Sequence, residues 1–99
     1  MTPVHIQPLA EADVTSACDW YDEQAPGLGM ALEREFRHLV EIIGALPEAF
    51  PKVEGEARRA VCKRFPYALV YLLVGGRAEI LAFTHTSRDP DVWKTRLPQ

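Results

Sequence analysis

The segment YALVYLLVGGRAEILAFTH, residues 67–85, decides the fold of this chain. Its first part, Tyr67–Val74, is apolar on both faces and rich in β-branched and aromatic side chains, which is typical of a central strand. Gly75 and Gly76 follow, and two glycines between two apolar runs favour a tight hairpin. The segment therefore predicts two long antiparallel strands at the centre of a sheet.

The returning strand of this hairpin is predicted over residues 78–85. Because side chains alternate between the two faces of a strand, we expect Ile80 and Ala82 on one face. Leu81 and Phe83 then lie on the opposite face.

Two further strands are expected outside the hairpin. Residues 59–64 alternate with period two, and the chain is then expected to turn or bulge at Phe65-Pro66, because Pro66 withholds a backbone donor. Val4 and Ile6 predict a short first strand, and Pro3 places that strand near an edge of the sheet.

Apolar residues spaced three and four apart predict two helices. The first begins near Ala10, and the second runs over about residues 28–46. The proline and glycines of residues 26–29 end the first helix and let the chain reverse before the second. After the second helix, a polar loop is expected through Pro51 and Gly55.

The order of elements is therefore β-α-α-β-β-β, followed by a terminal turn opened by Asp89 as N-cap and Pro90 as first helical residue. This order predicts an α+β fold, in which a helical hairpin packs on one face of a mostly antiparallel sheet. A length of 99 residues, 47% hydrophobic and 25% charged, fits one globular domain over residues 1–99.

The sequence lacks the features of membrane-spanning, secreted and metal-binding proteins. The longest apolar run has eight residues, whereas a membrane helix needs about 20, and the N-terminus has no signal-peptide pattern. The expected location is the cytoplasm. Cys18 and Cys62 have no zinc-ligand or disulfide-framework spacing, so we expect buried thiols, no metal and no cofactor.

The charge is distributed unevenly along the chain, although the total is only −3. Residues 1–57 carry three bases and eleven acids, a net of −8, while residues 58–99 carry eight bases and three acids, a net of +5. This polarity predicts a basic surface that faces an anionic partner. Compensation between the two halves of the chain explains it equally well.

Short motifs along the chain together resemble one family. They are Ala12-Asp13, Trp20-Tyr21-Asp22, Pro26-Gly27-Leu28-Gly29, Phe36, Arg58-Arg59, Arg64-Phe65-Pro66-Tyr67, Tyr71, His85, Arg88-Asp89-Pro90, Trp93 and Arg96. In order and spacing, these features resemble the RelE/ParE toxins of type II toxin-antitoxin modules, also called plasmid stabilisation proteins. The resemblance extends from about residue 4 to residue 96.

The resemblance implies a growth-inhibiting toxin that is neutralised by a cognate antitoxin, alone as a homodimer or together as a heterotetramer. Family members either cleave mRNA on the ribosome, as RelE does, or block DNA gyrase, as ParE does. We expect a ParE-like protein that binds its target without catalysis. An inactive homologue that only binds an antitoxin is a third interpretation.

The enzyme alternative is a ribosome-dependent endoribonuclease. Attack by the RNA 2′-hydroxyl needs proton transfer and cations at the phosphate. His85 is the candidate acid or base, with Arg59, Lys63 and Arg88 as phosphate cations. RelE-like enzymes place a tyrosine near the C-terminus, whereas no tyrosine follows Tyr71 here. A structural role for His85 is therefore the favoured interpretation.

Partner binding requires a different set of residues. The wide apolar arc of the second helix is the predicted anchor site for the antitoxin, and the basic half is the predicted charged contact. Packing of the arc against the first helix and simple solvation of the cations are the alternatives. The candidate binding residues are Phe36, Val40, Ile43, Arg58, Arg59, Arg64, Trp93 and Arg96.

Overall fold

A computed structural model describes residues 1–98 and confirms the predicted α+β architecture. Two long helices lie against a five-stranded sheet with the strand order β1-β5-β4-β3-β2. The elements are β1 (Val4–Ile6), α1 (Pro8–Gln24), α2 (Leu28–Ala45), β2 (Lys52–Glu54), β3 (Ala57–Val61), β4 (Tyr67–Val74), β5 (Arg77–His85) and α3 (Asp91–Lys94).

The hairpin of β4 and β5 forms the centre of the sheet, as predicted. Gly75 and Gly76 turn the chain with φ of 57° and 79°, a backbone conformation that residues with a Cβ rarely adopt. At one edge, β1 pairs in parallel with β5, with Val4 opposite Ala78. The short first strand therefore lies at an edge, as its proline indicated.

At the opposite edge, the structure corrects the prediction of a polar loop. Lys52–Glu54 forms the strand β2, which pairs with β3 after a turn in which Gly55 has a φ of 54°. All three side chains of β2 are exposed, so no buried face marks the strand in the sequence. Backbone pairing joins it to β3. The strand β3 ends at Val61 instead of continuing to residue 64.

The predicted alternation along β5 is wrong because the strand contains a β-bulge. Val70 pairs with Ala82, but the next residue of β4 pairs with Ile80, which leaves Leu81 as the extra residue. Ile80 and Phe83 consequently pack in the cluster that contains the helices, whereas Leu81 and Ala82 pack on the opposite face.

The two helices approach each other most closely at Gly29 of α2. A Cβ at this position would lie 2.3 Å from the carbonyl oxygen of Cys18 on α1. The Gly29 N–H also donates to Asp22 Oδ1 at 2.8 Å. Glycine is thus required here for contact between the helices and not for backbone freedom.

The other face of the sheet is covered by the C-terminal turn. Trp93 of α3 packs there on a small apolar cluster that includes Val70, Leu81 and Ala82. Pro90 precedes α3 and is not its first residue as predicted, although Asp89 Oδ1 accepts the Asp91 N–H at 2.9 Å. No helix within residues 1–98 is long and apolar enough to cross a bilayer.

Candidate functional site

Four basic side chains of the C-terminal half have, among the described residues, neither a carboxylate within 4.0 Å nor a side-chain hydrogen bond to the backbone such as Arg58 makes. We call this set, Arg59, Lys63, Arg64 and Arg88, the open cations. Arg59 is half-buried, and the other three are exposed. The basic half of the chain therefore keeps cations that no carboxylate of the described residues pairs.

Three of the open cations lie at one end of the sheet. Lys63 and Arg64 occupy the turn between β3 and β4, and Arg88 follows β5. The two segments are neighbours, because the Thr86 N–H donates to the Pro66 carbonyl at 2.8 Å. The sheet therefore gathers charges that are more than twenty residues apart in the sequence.

A carboxylate from α2 holds the turn between β3 and β4 in place. Glu35 Oε1 accepts the backbone N–H of Lys63 and, at 3.0 Å, the N–H of Arg64. The carboxylate contacts the backbone and leaves both basic side chains exposed. It thereby fixes the direction of the turn without neutralising the side chains in an ion pair.

Arg58 and Arg96, predicted as partner-binding residues, both make contacts within the chain. Arg58 Nη1 donates to the carbonyl oxygens of Phe50 at 2.7 Å and Glu48 at 3.2 Å, which secures the loop after α2. Arg96 Nη1 donates to Asp13 Oδ2 at 2.6 Å, and the Arg96 side chain is only 14% exposed.

The Asp13–Arg96 ion pair closes the edge of β5 where β1 has ended. Arg96 Nη1 also donates to the Leu81 carbonyl at 2.9 Å, at the bulge. Asp13 Oδ2 accepts the Phe83 N–H at 3.0 Å. Unpaired groups of a strand edge invite pairing with another chain, so α1 and the C-terminal segment together protect this edge.

Three of the four predicted catalytic residues do meet. Arg59, His85 and Arg88 line an open cleft of about 290 Å³ between α3 and the β2–β3 edge, which we call the outer cleft. Trp93 forms part of the wall of this cleft and is 6% exposed. Lys63 does not line the outer cleft.

The hydrogen bonds of His85 limit the chemistry of the outer cleft. Its Nδ1 accepts the Ser87 N–H at 3.1 Å and lies 2.8 Å from Ser87 Oγ. A backbone N–H can only donate, so Nδ1 carries no proton and the neutral ring is protonated at Nε2. Neither nitrogen of this tautomer is free to take a proton from a substrate hydroxyl. The geometry therefore favours the structural role of His85.

The apolar residues predicted to anchor an antitoxin are mostly internal. Phe36 and Ile43 are both 0% exposed, and the Phe36 ring contacts that of Phe83 at 5.0 Å between centroids. Their surface role is corrected, because they present no surface in this structure. Val40 remains half-buried at the margin of the core.

Trp20 is an exposed aromatic residue that the site prediction missed. It is 54% exposed, and its ring contacts Tyr21 edge-on at 5.0 Å. The apolar stripe of α1 includes Tyr21 but not Trp20. A large aromatic residue outside the buried face of the helix is the sequence signal that could have identified Trp20.

Burial and hydrogen bonds shift the pKa of several groups near the core. Burial raises the pKa of the Cys62 thiol to about 12, and burial also raises the pKa of Cys18 and of Tyr67. Hydrogen bonds from His5 and Arg77 lower the pKa of Glu79 to about 2. Within residues 1–98, no group of three or more His, Cys, Asp or Glu side chains is arranged to hold a metal.

Comparison with solved structures shows a likeness of fold. No family model and no curated protein matches the chain. Among solved structures, it is similar to a chain of the chromosomal ParDE toxin-antitoxin system from P. aeruginosa, with a TM-score of 0.77 and 17% identity. The alignment covers 86% of this chain and 96% of that chain. The protein therefore has the fold of a ParDE-system chain, as its resemblance to the RelE/ParE toxins predicted.

Proposed function

We propose that this protein is the toxin of a type II toxin-antitoxin pair, that it inhibits growth by binding a target protein such as DNA gyrase, and that a cognate antitoxin neutralises it. The observation that carries the proposal is the surface of open cations on a fold shared with a ParDE-system chain.

The arrangement of charge supports protein binding over binding to bulk nucleic acid. The net charge is −3, and the acids of the N-terminal half lie largely on the two helices. A polyanion meets repulsion from most of such a surface, whereas a protein partner with a local acidic patch matches the open cations alone. The antitoxin and the target are both partners of this kind under the proposal.

The second candidate function is a ribosome-dependent endoribonuclease. One observation favours it, since His85 shares the outer cleft with Arg59 and Arg88. The occupied Nδ1 of His85 counts against it, as does the absence of a tyrosine after Tyr71 in the sequence. Trp93, which lines the cleft, has no proton to transfer at neutral pH.

Growth assays separate these functions. Expression of the chain alone is expected to arrest growth and induce a DNA damage response while mRNA remains intact. Rapid mRNA cleavage would support the endoribonuclease instead, and no arrest would support an inactive antitoxin-binding homologue. Co-expression with a small acidic protein from the neighbouring reading frame is expected to restore growth.

Two variants sharpen the assay. Arg59→Gln with Arg88→Gln removes two open cations and is expected to weaken growth arrest. His85→Ala is expected to leave the arrest intact, provided that circular dichroism shows a folded protein. Loss of toxicity in folded His85→Ala would contradict binding without catalysis and make the endoribonuclease the better explanation.

A further inference from the structure

A second groove lies on the helix side of the same sheet end and shares His85 and Arg88 with the outer cleft. It is lined by Trp20, Tyr21, Tyr67, His85 and Arg88, together with Ser87, and measures about 400 Å³. We call it the aromatic groove. None of the buried apolar clusters closes it, and it opens to solvent between α1 and the loop after β5.

The polar groups of the aromatic groove are predominantly donors. Arg88 has no carboxylate within 4.0 Å among the described residues. His85 retains only its Nε2–H, because Nδ1 is occupied by Ser87. Burial raises the pKa of Tyr67, so its hydroxyl stays protonated. Uncompensated donors in one groove suit an anionic ligand.

The carboxylate that lines the adjoining depression does not neutralise this set. Asp13 lines the adjoining depression with Thr84 and Arg88. Its two oxygens are already bonded to Arg96 and to the Phe83 N–H. Arg88 is therefore left to pair with a ligand from outside the chain.

The remaining wall of the groove is aromatic. The exposed indole of Trp20 stands edge-on to Tyr21 at 5.0 Å, and Tyr21 contacts Tyr67 at 6.0 Å between centroids. Tyr67 in turn contacts His85 at 5.4 Å. This row of rings places a large apolar surface beside the Arg88 guanidinium, an arrangement that favours a ligand with an apolar group next to its anion.

We infer that the aromatic groove binds a peptide segment of a protein partner, in which a carboxylate at Arg88 adjoins an apolar side chain on Trp20. This inference rests on the proposed function and assigns a contact site within it. A nucleic acid fits less well, because exposed Asp19, Asp22 and Glu23 lie on the same turn of α1 as Trp20. These three carboxylates repel a single carboxylate of a peptide less strongly than they repel a chain of phosphates.

The indole NMR signal of Trp20 provides the test. Trp20→Phe assigns the signal, and the buried Trp93 serves as an internal reference. A decapeptide of alternating leucine and glutamate is expected to shift the Trp20 signal on titration. The matched peptide with glutamine for glutamate is expected to bind at least about tenfold more weakly, because it lacks the charge-assisted hydrogen bonds.

Matched variants test the role of the guanidinium. Arg88→Gln is expected to weaken binding of the leucine-glutamate peptide by about tenfold. Arg34→Gln is the control, since Arg34 is also exposed and lies outside the groove. Equal affinity of Arg88→Gln and the unmodified chain would overturn the inference, and so would a stronger Trp20 shift with a decamer of oligoadenylate.

Growth assays keep this test distinct from that of the proposed function. If the unmodified chain arrests growth and Arg88→Gln binds the peptide as tightly as the unmodified chain, the inference about the groove is wrong and the proposed toxin function stands. If peptide binding depends on Arg88 but the unmodified chain does not arrest growth, the inference about the groove stands and the proposed toxin function is wrong.

Discussion

Replacement of Gly29 by alanine tests how the two helices are held together. The new Cβ would lie 2.3 Å from the Cys18 carbonyl oxygen, whereas ordinary contact begins near 3.4 Å, so the helices must separate by about 1.1 Å. The neighbouring atom belongs to the backbone and has no rotamer by which to move aside. The Cβ would also lie 2.6 Å from Asp22 Oδ2, which displaces the carboxylate that accepts the Gly29 N–H.

The expected loss of stability follows from these contacts. Overpacking costs about 1–3 kcal/mol, and loss of a hydrogen bond to a charged group costs about 1.5–3 kcal/mol. The better helix propensity of alanine returns at most about 1 kcal/mol. We therefore expect Gly29→Ala to lower the free energy of unfolding by about 3 kcal/mol, which lowers Tm by about 12–24 °C in a domain of this size.

Urea denaturation followed by circular dichroism at the helix band measures this change. Gly44→Ala is the matched control, because Gly44 is also buried in α2. A Cβ there meets first the flexible end of Met1, at 3.3 Å. The control is expected to stay within about 1 kcal/mol of the unmodified chain. If Gly29→Ala matches the control, close contact at Gly29 does not set the packing of the helices.

Three further predictions concern the edge of the sheet, strand β5 and helix α2. Arg96→Met is expected to destabilise the fold by about 2 kcal/mol, because it leaves Asp13 and the Leu81 carbonyl without their donor, and thermal melts will measure the change. Glu79 has a folded pKa of about 2, below the ordinary 4.5, so its stabilisation is present above pH 4.5 and is lost as the pH falls towards 2. Unfolding experiments across this range are expected to show a flatter pH profile for Glu79→Gln, and an unchanged slope would contradict the assignment. Val40→Asp is expected to weaken antitoxin binding in calorimetry, and equal affinity of a folded variant would exclude the predicted anchor site on α2.

The central hairpin was predictable because its signals are local. Tyr67–Val74 is apolar throughout, and the two glycines after it permit a turn that other residues resist, whatever surrounds them. The position of β1 at an edge followed in the same way from Pro3. The α+β class needed only the order of such segments.

Features that depend on distant partners were not predictable. Nothing in residues 52–54 marks a strand, because β2 buries no face and is held by pairing with β3. The bulge at Leu81 reverses the faces that simple alternation assigns to Ala82 and Phe83. Both features come from backbone register between segments, which side-chain periodicity does not encode.

The candidate site shows the same division. Composition alone established that the C-terminal half is basic and the N-terminal half acidic. The sequence does not distinguish Arg96 from Arg88, since both are arginines of the basic half. The fold brings Asp13 to Arg96, whereas Arg88 has no carboxylate partner among the described residues. Charge content is a property of the chain, whereas the pairing of each charge depends on which segments the sheet and helices bring within hydrogen-bond distance.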